Sequence, residues 1–403
     1  MNEPVERKSA SATSARAYAV LLLLVFLGIL YGSLFPFEFR ARSYAGGALL
    51  YLIGTWREWD HRGDLLANIL LYLPFGFLAA SALPRRLSGA TRFVTALLAG
   101  VALSAGIEIV QFHDVGRVTS MGDVYANGIG AASGAALAVL LGATSRLPFV
   151  SELAANPGEA LLLAMFFAYR LYPYVPVIDL HKYWHAVRPM LTAPSLPPGE
   201  FLRYLVTWLF IAAVVHVLYG SRRFTLVFLL LCSVEFFGKV IVLDNALKLN
   251  DLVSAAAAGL LWAALLRRLP GRFAILALLF AVMIAIERLE PFQFGPYPRA
   301  FGWIPFASFL HGSIGIDIQA FCQKAYEYGG LVWLLNCAGL RLLPSTLWAA
   351  AFLFATSFAE CWLPGRSAEL TDGIMALMLG GILFVLRGNH RPGAVRTVAQ
   401  SQQ

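Results

Sequence analysis

Twelve apolar stretches, each near the length that crosses a lipid bilayer, dominate this chain of 403 residues. A transmembrane helix needs about 20 mainly apolar residues, and here 59% of the residues are hydrophobic while only 13% are charged. This composition predicts an all-α fold, a polytopic transmembrane helical bundle. The predicted spans lie near 17–35, 65–83, 93–110, 124–141, 159–173, 201–218, 224–243, 252–266, 273–290, 320–340, 345–363 and 373–387.

Three of these stretches end in a glutamate, and a helix restarts at an aspartate 12 to 16 positions later. An Asp at the centre of a membrane helix costs about 2.5 to 3.5 kcal/mol on insertion scales, and less near the interface. Because the same costly arrangement occurs three times, it predicts an internal repeat built around a polar site. The first, second and third acid pairs are Glu108 with Asp123, Glu235 with Asp251, and Glu360 with Asp372.

A proline followed by an aromatic residue marks the end of an opening span in each predicted unit, at Pro36, Pro173 and Pro291. Proline ends a helix, and the ring beside it suits the headgroup level of a membrane. Each unit then has four spans, an even number, so the three units share one orientation as a parallel repeat. The predicted boundaries are a disordered cytoplasmic tail over 1–16, units over 17–145, 157–268 and 271–388, and a second cytoplasmic tail over 389–403.

Arginines in the short loops predict the orientation of the chain. Short basic loops stay in the cytoplasm, which places both termini there and the three acid pairs at the outer face. The net charge of +8 suits anionic lipid headgroups, whereas nucleic-acid binding is disfavoured because the basic residues are dispersed. No metal or cofactor is expected, since the four cysteines lie in or beside apolar runs without metal-ligand spacing. The loop arginines are Arg85, Arg86, Arg92, Arg222, Arg223, Arg267, Arg268 and Arg272.

The first predicted unit carries the fullest set of polar motif residues. In chain order these are Asn68, Pro74, Gly76, Glu108, Gln111, Gly116, Arg117, Asp123, Asn127 and Gly130. The set resembles the VanZ-like family, whose pattern is Asn and Pro-x-Gly on one helix, Glu-x-x-Gln on the next, and then a Gly-Arg turn before Asp-x-x-Asp-x-x-x-Asn. The chain departs from this pattern at Ser120, where the family usually has the first Asp.

The resemblance weakens along the chain. In the third unit, Glu369 supplies the acidic position that Ser120 lacks in the first, whereas the second unit has Lys248 there. Asp244-Asn245 replaces Gly-Arg in the second unit. The motif residues that recur are Glu235 and Asp251 in the second unit, and Glu360, Arg366 and Asp372 in the third.

Helical spacing predicts a compact polar cluster in the first unit. Asp123 and Asn127 are four apart and share a helix face, and Asp123 lies at the helix start, where a carboxylate meets free N–H groups and the positive dipole end. Glu108 and Gln111 lie three apart on the preceding helix, and Arg117 is expected to form a bidentate bond with one carboxylate. The alternative interpretation is that these groups only hold a helical hairpin together.

The resemblance implies a bacterial cell-envelope protein of the cytoplasmic membrane, with a possible role in teicoplanin-type glycopeptide resistance. Our first hypothesis is a non-enzymatic protein that binds a lipid-linked glycan or a phospholipid-type headgroup at its outward-facing Glu/Asp/Arg clusters. The expected partners are membrane lipids and a lipid-linked glycan or glycopeptide ligand. The alternatives are a transporter or flippase of an envelope lipid or exopolysaccharide precursor, and an acid–base enzyme. An enzyme is disfavoured because no nucleophile–base pair or phosphate loop is visible. Candidate site residues are Asn68, Glu108, Gln111, Arg117, Asp123, Asn127, Glu360, Arg366, Glu369 and Asp372.

The three units are predicted to differ in role. The first keeps neutral hydrogen-bonding side chains around its charges, so it is expected to carry the activity. In the third, Arg366, Glu369 and Asp372 are expected to neutralise one another. The second, with Lys248 and no Gly-Arg turn, is expected to be scaffold.

Overall fold

A computed structural model of the protein describes residues 3–57, 62–84, 86–115, 117–144, 148–311 and 314–387. Within these residues the regular structure is helical, apart from three isolated β-bridges, so the all-α prediction is confirmed. Seven of the described helical segments are long and apolar enough to cross a membrane. The chain is therefore a multi-pass membrane protein with an all-α helical bundle.

The chain folds as two compact units, one formed by Met1–Ser151 with Phe309–Gly315, the other by Glu152–Ser308 with Ile316–Gln403. The division at Ser151 falls between the first and second predicted repeats, and the second and third repeats lie within one compact unit. The division into three four-helix repeats stays a prediction. The helices of the first compact unit are α1 (Glu3–Leu34), α2 (Gly47–Gly54), α3 (Arg62–Ala82), α4 (Gly89–Gln111) and α5 (Met121–Thr144), and α6 (Pro148–Ala155) contains the division.

In the second compact unit, the segment Pro198–Ile241 consists of two helices that meet at a break at Gly220. Gly220 has φ 65° and ψ 179°, a conformation open to glycine because it has no Cβ. The predicted spans 201–218 and 224–243 lie on either side of this break. The helices of this unit are α7 (Pro157–Arg170), α8 (Leu180–Thr192), α9 (Pro198–Ile241), α10 (Leu249–Ala264) and α11 (Arg272–Leu289), followed by most of α13 (Ile314–Cys337), α14 (Leu342–Ala359) and α15 (Thr371–Leu386), while α12 (Ala307–His311) contains a division between the units.

Each of the twelve predicted spans overlaps one of these helices. The crossing of the membrane by α7, α11, α13 and α15 stays a prediction, because these helices are not among the seven segments that are long and apolar enough to span it. Helix α1 begins at Glu3, so the helix extends through most of the segment predicted to be a disordered tail. The C-terminal tail over 389–403, Arg85 and Gly116 lie outside the described residues.

Glycines bring α3 and α5 together backbone to backbone. A Cβ added at Gly134 would lie 2.0 Å from the Leu73 carbonyl oxygen, and one added at Gly76 would lie 2.0 Å from the Ala131 carbonyl oxygen. Small residues allow this close approach in membrane helices, where packing rather than water exclusion drives association. The contact places Asn68 on α3 beside the start of α5.

The first half of α9 lies in the core of the second compact unit. Trp208, Phe210 and Ile211 are fully buried, as expected of a helix that is apolar on all sides. The Phe210 ring packs against Phe280 of α11 and Trp333 of α13, with ring centroids 5.1 and 5.9 Å apart. This core holds the helices that carry the second and third acid pairs.

Candidate functional site

Glu108 fixes the loop between α4 and α5. Its side chain is only 3% exposed, and its Oε2 accepts a hydrogen bond from the Ser120 N–H at 2.9 Å. The Thr119 hydroxyl donates to the Glu108 carbonyl at 3.1 Å. Ser120, immediately before α5, accepts a bond from the Gly122 N–H at 3.1 Å, as serine does when it caps a helix. Ser120 thus caps the start of α5, at the position where the family pattern has Asp.

Neutral side chains tie the first acid pair to the surrounding helices. Asn68 Nδ2 donates to Asp123 Oδ1, which joins α3 to α5. Gln111 Nε2 donates to the Ser33 carbonyl at 2.7 Å, which joins α4 to the end of α1. The structure therefore brings the predicted residues Asn68 and Asp123 together and places Glu108 at the base of the same hairpin.

Asn127 has one satisfied and one unsatisfied polar atom. Its Nδ2 donates to the Ser104 hydroxyl at 2.8 Å, so it holds α5 against α4 rather than bonding to Asp123. The residue is only 6% exposed, and among the described residues its Oδ1 has no hydrogen-bond partner. A buried acceptor without a donor is unfavourable by about 1–3 kcal/mol, so this oxygen is a place where a donor from outside the described residues would be stabilising.

Arg117 does not bond to a carboxylate as predicted. Its Nη2 donates instead to the main-chain carbonyls of Gly32 and Phe35, at 3.1 and 3.2 Å. The last carbonyls of a helix lack intrahelical partners and carry the negative end of the helix dipole. A guanidinium near the end of α1 satisfies them, and this explains why Arg117 turns away from Glu108 and Asp123.

The second acid pair is neutralised by two buried cations. Arg170 at the end of α7 bonds to both Glu235, at 2.7 Å, and Asp251. Lys239 bonds to Asp251 at 2.7 Å and lies 3.4 Å from Glu235. Both acids are fully buried, so two negative and two positive charges balance one another away from water.

Lys248 has a different role from the acid that it replaces in the motif. It lies just before α10, where its N–H donates to Asp251 Oδ2 at 3.0 Å. Its Nζ donates to Glu200 Oε1 at 2.9 Å, and this hydrogen bond raises the pKa of the lysine. Lys248 therefore occupies the N-cap position of α10 and forms an ion pair with Glu200.

The third acid pair is also neutralised by two cations. Arg288 of α11 bonds to Glu360 at 3.0 Å and to Asp372 at 2.6 Å, and Lys324 bonds to Asp372 at 2.8 Å. The Tyr328 hydroxyl also donates to Asp372, at 2.9 Å. Two cations again balance two carboxylates.

The predicted mutual neutralisation of Arg366, Glu369 and Asp372 is wrong. Arg366 Nη2 donates to the carbonyls of Glu287 and Glu290, at 3.0 and 2.6 Å, at the end of α11. Glu369 accepts a bond from the Ser308 hydroxyl. The three side chains separate because the cations that neutralise Asp372 come from α11 and α13.

The sequence analysis did not identify the two arginines that neutralise the second and third acid pairs. Arg170 and Arg288 each stand three positions before the proline that marks an opening span, and Ser33 stands at the corresponding position before Pro36. A charged residue inside an apolar opening span is the signal that could have identified them.

The segments around the three prolines share a local conformation. The X–Pro bond is cis in each case, and the aromatic residue that follows has positive φ, at Phe37, Tyr174 and Phe292. The N–H of each aromatic residue donates to the carbonyl three positions before it, at 2.7 to 2.9 Å. The carbonyl just before each proline accepts a bond from the following hairpin, from Arg117, Asn245 and Arg366 respectively.

Residues 8–142 match a family model described as VanZ/LLP1. Over these residues the chain is similar to the VanZ-like family. No curated protein and no solved structure matches the chain. The VanZ-like region contains Asn68, the first acid pair, Arg117 and Asn127, and it ends at the start of the segment that leads to the second compact unit. The second and third acid pairs lie outside the matched residues.

Proposed function

We propose that the VanZ-like region binds the headgroup of a membrane glycolipid at the first acid pair, without chemical change to the lipid. The observation that carries this proposal is the residue three positions before each opening proline. At the second and third prolines this residue is a buried arginine, Arg170 or Arg288, that bridges the acid pair. At the first proline it is Ser33. Neutral donors such as Asn68 and the Ser120 N–H contact the first pair.

A set of carboxylates and amides suits the hydroxyl groups of a sugar. A carboxylate accepts hydrogen bonds from hydroxyls, and an asparagine side chain both donates and accepts. Asn127 Oδ1, buried and without a partner, would accept a further bond. A neutral donor such as Asn68 can be exchanged for a ligand hydroxyl without leaving a cation unpaired, whereas opening the second or third acid pair would leave a cation unpaired.

The location and wider role are part of the same proposal. The protein lies in a bacterial cytoplasmic membrane with both termini cytoplasmic, an orientation supported by the arginines of the short loops. The three repeats share that orientation, supported by the recurrent proline segments. A part in the cell envelope and in resistance to teicoplanin-type glycopeptides is supported by the family match alone.

The test is a binding measurement on the full chain. Native mass spectrometry in detergent would compare a monoglucosyl diacylglycerol with a phosphatidylglycerol that has the same acyl chains. We expect tighter binding of the glycolipid, and a loss of about tenfold or more for Asp123→Asn, which keeps an oxygen for the bond from Asn68. Asp251→Asn makes the same change in the second acid pair, and the folded fraction of this variant should bind like the unmodified protein.

Other outcomes contradict the proposal. Equal affinity for the two lipids, or unchanged binding by Asp123→Asn, would show that the first acid pair does not bind the glycolipid headgroup. A glycolipid that is chemically altered would indicate an enzyme. A fluorescent glycolipid moved across the bilayer of proteoliposomes would indicate a flippase.

A further inference from the structure

An apolar groove of about 580 Å³ runs along the VanZ-like region between α2, α4 and α5. This volume falls within the range of about 300 to 1,000 Å³ that is usual for ligand pockets. The walls belong to helices that are apolar enough to cross the membrane, except α2, which covers one end. Side chains that mark its extent are Leu49 and Ile53 of α2, Leu97 and Ala105 of α4, and Met121 and Ala132 of α5.

The length of the groove matches one leaflet of a bilayer. On α5 it extends from Met121 to Ala132, which at about 1.5 Å per residue is about 16 Å. The hydrocarbon core of a bilayer is about 30 Å thick, so one leaflet accounts for about 15 Å. A fatty acyl chain spans one leaflet, whereas a polyprenyl chain is much longer.

One end of the groove lies at the first acid pair. Met121 and Val124, which line the groove, flank Asp123 in the first turn of α5, and Ala105 lies one turn before Glu108. The Met121 N–H donates to the Thr55 hydroxyl at 2.9 Å, which fixes the end of α2 at this point. An amphiphile with its headgroup at the acid pair would therefore have a chain directed along the groove.

We propose that the groove binds one acyl chain of the diacyl lipid whose headgroup lies at the first acid pair. This inference rests on the function proposed above and specifies the lipid class. Leu49 and Ile53 are 55% and 47% exposed, and an acyl chain would cover their apolar surface. The chain would add binding energy through van der Waals packing along the wall.

The corresponding part of α9 is filled by the protein's own side chains. Phe224 and Phe228 stand 11 and 7 positions before Glu235, as Leu97 and Val101 stand before Glu108. The two phenylalanine rings are buried and stacked, with centroids 5.5 Å apart. Aromatic rings beside the second acid pair thus take the place of the smaller aliphatic side chains that line the groove.

The test fills the groove and compares long and short acyl chains. Ala105→Phe places a ring in the groove. Ala102→Phe is the matched control, because it makes the same change on the same helix but lines a separate cavity of about 280 Å³ against α1. The probes are dipalmitoyl and dibutanoyl forms of a monoglucosyl glycerolipid, titrated onto the full chain and measured by native mass spectrometry.

We expect Ala105→Phe to weaken binding of the dipalmitoyl probe by about tenfold and to leave the dibutanoyl probe unchanged. Ala102→Phe should change neither. If Ala105→Phe binds both probes normally while Asp123→Asn still loses them, the headgroup proposal stands and the groove inference is overturned. If Asp123→Asn also binds both probes normally, the two proposals fail together. If Ala102→Phe weakens binding as much as Ala105→Phe, the groove is not the chain site.

Discussion

At the residue scale, the second and third acid pairs are bonded to cations, whereas Asn68 and the Ser120 N–H donate hydrogen bonds to the first pair. Arg170 and Lys239 neutralise the second acid pair, and Arg288 and Lys324 neutralise the third. Removing one partner of a buried ion pair is strongly destabilising, because the remaining charge has lost both water and its partner. These residues should therefore govern stability.

We expect Arg170→Met to lower the free energy of unfolding by about 3–5 kcal/mol, measured by unfolding in mild detergent. Arg222→Met, at an exposed arginine of the break region, is the control and should change it little. The double variant Arg170→Met/Glu235→Gln should be more stable than Arg170→Met, because Lys239 and Asp251 then balance each other. A double variant as unstable as the single one would mean that packing of the arginine stem, not charge, dominates.

The converse change is expected at Ser33. Ser33→Arg introduces an arginine at the position equivalent to Arg170 and Arg288, from which it would bridge Glu108 and Asp123. We expect at least about a tenfold loss of glycolipid affinity with no fall in thermal stability. Ser33→Ala should retain binding, since Gln111 bonds to the main-chain carbonyl of residue 33. Normal binding by Ser33→Arg would contradict the role assigned to this position.

The sequence located the acids but not their partners. A carboxylate in an apolar run stands out because it is unfavourable there, and all three pairs are found at the hairpins where they were predicted. Arg170 lies 65 and 81 positions from Glu235 and Asp251, and only the folded chain brings them together. The sequence analysis predicted a carboxylate partner for Arg117. The partners in the structure are main-chain carbonyls at the end of α1, and such carbonyls cannot be recognised from the sequence.

At the scale of elements, the fold of the VanZ-like region depends on the close contact of α3 with α5. Gly134→Ala should lower the free energy of unfolding by about 1–3 kcal/mol, because its Cβ would overlap the Leu73 carbonyl. Gly106→Ala on α4, where an added Cβ meets nothing within 4 Å, is the matched control and should be neutral or slightly stabilising. Equal thermal stability of the two variants in detergent would show that the close contact of α3 with α5 does not contribute to the free energy of unfolding.

Helix positions were the easiest elements to predict, because long apolar runs specify helices in lipid. All twelve predicted spans overlap helices. The predicted spans 201–218 and 224–243 lie on either side of the break at Gly220, where the polar residues Ser221, Arg222 and Arg223 follow the glycine. The groove beside α2 has no sequence signal, since it arises from the packing of three helices.

At the scale of the whole molecule, the orientation in the membrane is open to direct test. Leu180 of α8 is 85% exposed, and Arg223 follows the break at Gly220. Between these two residues, the part of α9 before the break at Gly220 is about one membrane span long. Leu180→Cys should react with a membrane-impermeant maleimide in intact cells, whereas Arg223→Cys should react only after lysis. The reverse pattern would invert the proposed topology, and the unmodified chain provides the background from its native cysteines.

The serine at position 33 has a genetic consequence. Some serine and arginine codons differ by one base, so a single point mutation separates a hairpin that accepts a ligand, under our proposal, from one that is closed by its own guanidinium. Under the predicted repeat, one base change would convert a ligand-binding unit into a structural one. Relatives with arginine at this position would then be expected to have lost the ligand while keeping the fold.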